Sequence, residues 1–192
     1  MPRTGGSSTG NVDQPVFYYD LGSPQCYIVA ETIMAALPVV PEWEPVFGPE
    51  IVTAPQTIDR EQIEAQAAAL ELQRVRWPAR WPPDTRSAML AATYAKQIGR
   101  AVAFSLAAFR QTFAGGRDLG DENTVLIAGA ACEMHPTALR KGIELRSTQN
   151  ALAQATRRAR DAGVTDLPAI RIGDGIYPTT SEAAAAIEGA LR

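Results

Sequence analysis

The sequence is poor in residue types that mark whole classes of protein. Its 192 residues include two cysteines and one histidine, and lysine occurs only at positions 96 and 141. Two cysteines cannot build the disulfide framework of a small secreted domain. The lone histidine, His135, has no second histidine with which to form a metal site or a catalytic dyad. No metal is therefore expected.

Long apolar runs and excess positive charge are absent as well. No hydrophobic stretch approaches the roughly 20 residues of a membrane span. The net charge of -3 argues against nucleic acid or an anionic membrane as the main partner. Residues 1–13 are polar and glycine-rich, so we expect a disordered tail there and not a signal peptide. These features predict a cytoplasmic protein with neither nucleic-acid nor membrane partners.

What the sequence does have is clear hydrophobic periodicity. It predicts strands at 15–21, 42–47, 166–172 and 176–178, and helices at 24–37, 58–74, 85–98, 100–114, 123–132, 136–145, 149–162 and 181–191. Residues 48–57 are expected to form a loop. Pro45 lies inside the second strand, which favours an edge strand or a bulge because proline cannot donate to a sheet.

The order of these elements predicts the fold. A strand–helix–strand unit is followed by helices only, and then by helix–strand–strand–helix, which is an α/β thioredoxin-like fold with an all-helical insertion. The thioredoxin-like domain would comprise residues 14–57 and 147–192. The insertion, residues 58–146, would cover one end of the sheet as a lid. The first strand and the 166–172 strand would be neighbours.

The turn after the first strand carries the residues of chemical interest. Ser23 and Pro24 form a typical helix start, in which serine caps the helix and proline takes its first position. A strand-to-helix turn is also where backbone amides and the helix dipole stabilise an anion. Cys26 follows in the first helical turn, where the helix dipole favours a thiolate, so its thiol is predicted to be reactive. The alternative is that Cys26 is a small buried core residue. With cysteine at position 23 the stretch would be Cys-Pro-Gln-Cys, a dithiol redox motif of the Cys-x-x-Cys type. Because Ser23 replaces the first cysteine of that motif, a two-cysteine redox cycle within Ser23–Cys26 is chemically impossible.

A second signal is Leu167-Pro168, a proline opening a strand directly after a loop. By base rate an X-Pro bond of this kind is trans. In thioredoxin folds, however, the proline at this place is cis and lies against the motif at the first helix. The backbone of the preceding residue is then free to pair with a bound thiol or peptide.

Several motifs resemble one family in the same order. The stretch YYDLGSPQCY resembles a strand–(F/Y)-x-D-x-x-Ser-Pro-x-(S/A)-Tyr start. The segment RWPARWPPDTRSAMLAATYA resembles W-P-x-x-F-P-x-(N/S)-(S/T) with its following helix, and AFRQTFAGGRDLGDENTV resembles a G-R-D-(I/L) stretch. With GVTDLPAIRI, these are spread over most of residues 15–192. The chain resembles the DsbA superfamily, and within it the 2-hydroxychromene-2-carboxylate isomerases and kappa-class glutathione transferases.

The resemblance implies a thiol-dependent site. Ser23 would hydrogen-bond the sulfur of bound glutathione, or of another low-molecular-weight thiol, and favour its thiolate. The backbone of Leu167 would pair with the cysteinyl unit of that cosubstrate, and Pro168 would shape the site. Ser181, which matches the turn after the last strand, would donate to the glutamyl end and cap the last helix.

The sequence also departs from the family. Glu182 stands where the family holds a carboxylate and would repel one. The family's lysine before the W-P motif is missing, and Arg74, Arg76 or Arg80 are candidates to replace it. A different thiol is therefore an open alternative to glutathione.

Three functions remain open from the sequence. The first is a thiol-dependent isomerase or transferase acting on an apolar or aromatic small molecule, with a homodimer as one possible assembly. The second is a thiol–disulfide oxidoreductase-like protein working through Cys26 alone. The third is a non-catalytic protein that binds a ligand in the same groove. Trp77 and Trp81 are expected to pack at the hinge of the insertion or to line the substrate pocket.

Overall fold

The computed structural model describes residues 13–52 and 57–191. The predicted tail lies almost wholly outside these residues, as do residues 53–56 of the predicted loop. The regular elements are β1 Val16–Tyr19, α1 Pro24–Ala36, β2 Glu42–Pro45, α2 Gly48–Ile51, α3 Arg60–Ala69, α4 Arg86–Gln97, α5 Ala101–Phe113, α6 Glu122–Ala131, α7 Pro136–Glu144, α8 Arg146–Asp161, β3 Ala169–Ile172, β4 Gly175–Tyr177 and α9 Thr180–Ala190.

The sheet confirms the predicted thioredoxin-like order. Its strands run β2-β1-β3-β4, with β2 parallel to β1, and β3 antiparallel to both β1 and β4. The predicted neighbours are paired, since Phe17 lies opposite Ile170. Pro45 closes the edge strand β2, where the missing N–H costs no ladder bond.

One short helix was not expected. Residues 48–51 form the helix α2, whereas the sequence predicted a loop there. Pro49 stands in the first turn of this helix, where its fixed φ and absent N–H are compatible with helix geometry. A side chain distant in sequence holds its start, since the Gly48 N–H donates to the Asp20 carboxylate at 2.7 Å. That long-range bond has no signature in the local sequence.

Helices make up the regular structure of residues 58–146, all of which are described. This segment packs closely on the sheet-containing part: α5 lies against α1, and α4 lies against β2. A buried hydrogen bond of 2.7 Å joins the hydroxyls of Tyr19 and Ser105. On the surface, the Arg110 guanidinium donates twice to the Glu31 carboxylate, at 2.7 Å each. Such two-pronged pairs fix orientation as well as distance.

The aromatic core runs from the sheet into the helical segment. Phe17 and Tyr19 stack with ring centroids 5.2 Å apart, and Trp43 meets Phe17 edge-on. Tyr27 of α1 stacks on Phe113 of α5 at 5.2 Å. Because these rings are fully or almost fully buried, they bind the two parts into one core. Among the described helices, none has the length and apolar character needed to cross a bilayer.

Candidate active site

The turn between β1 and α1 places Ser23 at the helix N-terminus, as its sequence predicts. Ser23 is the N-cap, with φ -87° and ψ 119°, and Pro24 follows in the first turn. The Ser23 Oγ accepts a hydrogen bond from the Cys26 N–H at 3.2 Å, and the Ser23 hydroxyl donates to the Gln25 Oε1 at 3.3 Å. The hydroxyl therefore sits over the positive end of α1, half exposed to the space in front of it.

A cavity of about 460 Å³ opens in front of this hydroxyl. Its lining combines the β1–α1 turn, the α2 region and the segment that precedes α4. The lining residues are Asp20, Gly22, Ser23, Pro24, Gln25, Gly48, Pro49, Val52, Ile58, Arg60, Trp81, Pro82, Pro83, Thr85 and Leu167. Most of this wall is apolar, which suits an apolar or aromatic ligand.

The buried carboxylate of Asp20 ties the walls of this cavity together. Its Oδ1 accepts from the Gly22 N–H at 2.8 Å, and its Oδ2 accepts from the Gly48 N–H at 2.7 Å and the Thr85 hydroxyl at 3.2 Å. Burial raises the pKa of this carboxyl, while the three hydrogen bonds oppose that rise. One side chain thus joins the turn, the start of α2 and the segment before α4.

The two walls approach each other most closely at Gly22. A Cβ placed on Gly22 would lie 2.5 Å from the Thr85 Cγ2 and 3.2 Å from the Asp20 Oδ1. Only glycine therefore fits between the turn and the helical segment. Beyond this contact, Trp81 forms the outer wall, and Trp77 packs edge-on against it at 5.2 Å. Of the two predicted tryptophans, Trp81 lines the cavity and Trp77 supports it.

Cys26 does not share this exposure. Its side chain is completely buried, and burial raises the pKa of its thiol to about 12. The hydrogen bond with Ser23 lowers that pKa by less than burial raises it. The dipole effect expected at a helix start is outweighed, because the thiol faces the core and not the cavity. The geometry favours the interpretation of Cys26 as a small buried core residue.

The Leu167-Pro168 segment borders the cavity in front of Ser23, which we call the Ser23 cavity. The Leu167-Pro168 peptide bond is cis, and Leu167 lines the cavity together with Ser23. The Leu167 N–H, which the resemblance leaves free to pair with a thiol, donates to the Asp166 Oδ1 at 2.6 Å. A second cis bond, Trp81-Pro82, joins two residues that also line this cavity, and it was not predicted.

A second cavity, of about 890 Å³, adjoins the first. It lies between α1, α3, the Leu167-Pro168 segment and the start of α9, and Gln25 and Leu167 line both cavities. At its α9 end the lining residues are Pro178, Thr179 and Thr180. Ser181 is exposed and is not the helix cap, because the Thr179 Oγ accepts from the Glu182 N–H and holds that place. The expectation that Ser181 caps α9 is therefore wrong.

The basic residue of the Ser23 cavity is also different from those expected. Arg74, Arg76 and Arg80 are not among the residues that line either cavity, whereas Arg60 lines the first. Its guanidinium carbon lies 4.8 Å from the centroid of the Trp77 ring. Arg60 opens α3 directly after its cap, Asp59, and nothing in the sequence pattern points a first-turn arginine at a cavity.

The remaining candidates lie elsewhere. His135 caps α7, and its Nδ1 accepts from the Thr137 N–H at 3.2 Å. Cys132 is buried at the end of α6, where its thiol contacts the Gly129 carbonyl at 3.2 Å. Among the described residues, no group of three or more His, Cys, Asp or Glu side chains is arranged to hold a metal ion.

Two of the site residues that sequence reasoning missed, Gly48 and Thr85, act through long-range contacts. Gly48 and Thr85 are brought to the Ser23 turn by the Asp20 carboxylate, from 28 and 65 residues away. The aspartate itself could be read as a turn-orienting residue, but its two distant partners could not. Asp166 was missed because its hydrogen bond to the next residue depends on the loop conformation before Pro168.

The fold and the site together define a thioredoxin-like protein with a serine in place of the first motif cysteine. The family model of the DSBA-like thioredoxin domain matches residues 16–191. The chain belongs to this DSBA-like thioredoxin family.

Solved structures of the same fold carry different activities. A 2-hydroxychromene-2-carboxylate isomerase has a TM-score of 0.79 at 14% identity, over 92% of this chain and 93% of that one. A probable DsbA oxidoreductase from Streptomyces coelicolor has a TM-score of 0.73 at 19% identity, over 94% and 90%. The cytosolic disulfide reductase DsbM from Pseudomonas aeruginosa, solved with glutathione, has a TM-score of 0.62 at 12% identity, over 93% and 95%. No curated protein matches the sequence. At these identities the likeness shows the fold alone.

Proposed function

We propose that this protein is a thiol-dependent isomerase or transferase, in which Ser23 stabilises the thiolate of a low-molecular-weight cosubstrate. The observation that carries the proposal is the position of the Ser23 hydroxyl, which sits at the N-terminus of α1 and lines the 460 Å³ cavity. A thiolate placed there receives a hydrogen bond and the favourable end of the helix dipole. The sulfur comes from the cosubstrate, because Cys26 is buried.

The chemistry needs no redox partner. The thiol loses its proton to solvent, and its thiolate adds to one carbon of an activated C=C bond. A C–S bond forms while the π electrons of the C=C bond move onto the activating group. In an isomerase the same bond breaks after rotation in the adduct and the thiolate returns. In a transferase the C–S bond persists, the adduct anion takes a proton from solvent, and the product leaves as a thioether. The serine hydroxyl does the same work in both cases, lowering the free energy of the anionic sulfur.

The second reactant fits the apolar side of the cavity. Pro49, Val52 and Ile58 face it from the α2 side, and Trp81 and Pro83 face it from the helical segment. An aromatic or apolar small molecule bound there would lie beside the Ser23 hydroxyl. The isomerase and the glutathione-bound reductase among the related structures support this type of chemistry. The cytoplasm, where such thiols are kept reduced, is the compartment that suits it.

Calorimetric titration with glutathione and other small thiols tests the proposal, together with thiol-dependent turnover of aromatic electrophiles. Ser23→Ala should lower turnover by about a hundredfold or more, as loss of one anion-stabilising donor does in other enzymes. The control is Ser147→Ala, an exposed serine of α8 that lines neither cavity. Unchanged turnover in Ser23→Ala would refute the role. Thiol binding without turnover of any electrophile would favour a non-catalytic protein.

A further inference from the structure

The lining of the Ser23 cavity includes one basic side chain among the described residues. Asp20 and Arg60 are the charged residues of this lining. The Asp20 carboxylate is buried and accepts three hydrogen bonds from the surrounding wall. Arg60 is exposed, so its guanidinium is the charged group that a ligand in this cavity can contact. The described part of the cavity therefore offers a ligand one cation.

An aromatic ring holds the Arg60 side chain in place. Its guanidinium carbon lies 4.8 Å from the centroid of the Trp77 ring, within the range of a cation–π contact. The Trp77 indole N–H donates to the Glu64 Oε1 at 2.7 Å, and the Trp77 ring packs edge-on against Trp81 at 5.2 Å. Because the ring is itself fixed by these two contacts, Arg60 is positioned before a ligand arrives, and less entropy is lost on binding.

The contact with Trp77 leaves the N–H donors of Arg60 available. A cation–π contact uses the charge of the guanidinium and none of its N–H groups. Among the described residues, no carboxylate forms an ion pair with Arg60, and Glu64, one turn along α3, bonds the Trp77 indole instead. The planar fork of a guanidinium matches the two oxygens of a carboxylate. Arg60 is therefore suited to bind an acidic group of a ligand.

Arg60 also adjoins the apolar walls of the cavity. Ile58, which precedes it by two residues, lines the same cavity, and Trp77 supports the outer wall formed by Trp81. These walls are the ones against which the apolar body of the second reactant packs in the proposed function. The acidic group that Arg60 can bind would thus be a substituent of that body.

From these contacts we infer that Arg60 selects the second reactant, which is an aromatic or apolar electrophile that carries an acidic group. Arg60 binds the acidic group, the apolar walls bind the body, and the thiolate at Ser23 meets the reacting carbon. This inference rests on the proposed function and narrows its substrate class. Arg60 is then a specificity-determining residue, and Trp77 is the residue that positions it.

Two matched ligands test the selection without any thiol. The anion para-phenylbenzoate and its neutral amide, para-phenylbenzamide, have nearly the same size and shape. Measured by calorimetry, the benzoate should bind the wild-type protein about tenfold more tightly, because it gains charge-assisted hydrogen bonds from Arg60. This advantage should shrink in high salt, since Arg60 is exposed to solvent.

Three variants locate the effect. Arg60→Gln should remove the advantage of the benzoate and leave binding of the benzamide unchanged. Arg60→Lys should restore part of it, because lysine keeps the charge but lacks the planar fork. Arg157→Gln is the matched control, since Arg157 is an exposed arginine of α8 that lines neither cavity, and it should bind both ligands as the wild-type protein does.

Turnover gives a second measurement at a saturating thiol concentration. The substrates are para-carboxybenzylideneacetone and its carboxamide, two activated alkenes that differ in one charge. Arg60→Gln should raise KM for the carboxylate about tenfold with little change in kcat, because Arg60 binds a group remote from the reacting carbon. The KM for the carboxamide should not change.

The outcomes separate this inference from the proposed function. Equal binding of the benzoate and the benzamide, no binding of either, or a benzoate advantage that persists in Arg60→Gln overturns the role of Arg60, whatever the turnover. If the advantage disappears in Arg60→Gln but neither alkene is turned over with any thiol, Arg60 still selects acidic ligands and the proposed function falls.

Discussion

Ser23 and Cys26 lie three residues apart, yet they occupy opposite environments. The Ser23 hydroxyl is half exposed, caps α1 and faces a cavity, whereas the Cys26 thiol is buried behind it with a pKa of about 12. The same helix N-terminus acts on both positions, and burial decides between them. This turn therefore has the helix N-terminus of a dithiol redox motif but exposes no thiol of its own.

The largest effect is expected when a thiol is placed at position 23. In Ser23→Cys the new thiol should titrate below the ordinary value of about 8.5, because it sits at the end of α1 without being buried. Its alkylation near neutral pH should exceed that of wild-type Cys26 on the order of a thousandfold, measured by mass spectrometry after timed quenching.

The control for this variant is Ala65→Cys, an exposed thiol in the middle of α3. It should react at the rate of an ordinary cysteine, more slowly than the Ser23→Cys thiol. If the two engineered thiols react equally fast, the turn does not stabilise an anion.

A side chain added at Gly22 should lower the free energy of unfolding. Gly22→Ala drives a Cβ to 2.5 Å from the Thr85 Cγ2, so the turn and the helical segment must separate. We expect a loss of about 1–3 kcal/mol in the free energy of unfolding, measured in denaturant. Gly189→Ala, in α9 with no atom near the added Cβ, should instead gain up to about 1 kcal/mol. Equal effects in the two variants would refute the close contact.

Removing the buried thiol of Cys26 should affect stability but not turnover. Cys26→Ala should lower the free energy of unfolding by about 1–2 kcal/mol through a small cavity. Thiol-dependent turnover should stay within about twofold of wild type, because the thiolate is supplied by the cosubstrate. A collapse of turnover at unchanged folding would show that Cys26 takes part in the reaction, as the oxidoreductase alternative requires.

The smallest effect concerns the carboxylate that holds the turn. Burial raises the pKa of Asp20, so the folded protein binds a proton there more readily than the unfolded chain. The stability contributed by this group is therefore greatest at low pH and falls as pH rises from about 3.9, the unfolded value, to the raised folded value. Relative to Asp20→Asn, wild-type melting temperature should decline across that window. A difference that grows with pH would contradict the assignment.

The helix caps and the order of the strands could be predicted from the sequence, whereas most side-chain contacts between distant elements could not. The Ser23 and Asp59 caps follow from capping residues, and the pairing of β1 with β3 follows from the order of the predicted elements. The helix α2 was not predicted because its first residue, Gly48, is held by a hydrogen bond to the Asp20 carboxylate, which lies far away in the chain. The burial of Cys26 and the placement of Arg60 depend on tertiary packing, which local pattern does not encode.

The proposed role of Ser23 is to stabilise a thiolate that belongs to a bound cosubstrate. The direct measurement is the pKa of a bound cosubstrate thiol, followed by ultraviolet thiolate absorbance during a pH titration with saturating glutathione or another small thiol that binds. If Ser23 stabilises the thiolate, the thiol titrates at a lower pH when bound to the wild-type protein than when free, and the shift is lost in Ser23→Ala. A bound thiol that titrates at the same pH in both proteins would contradict it.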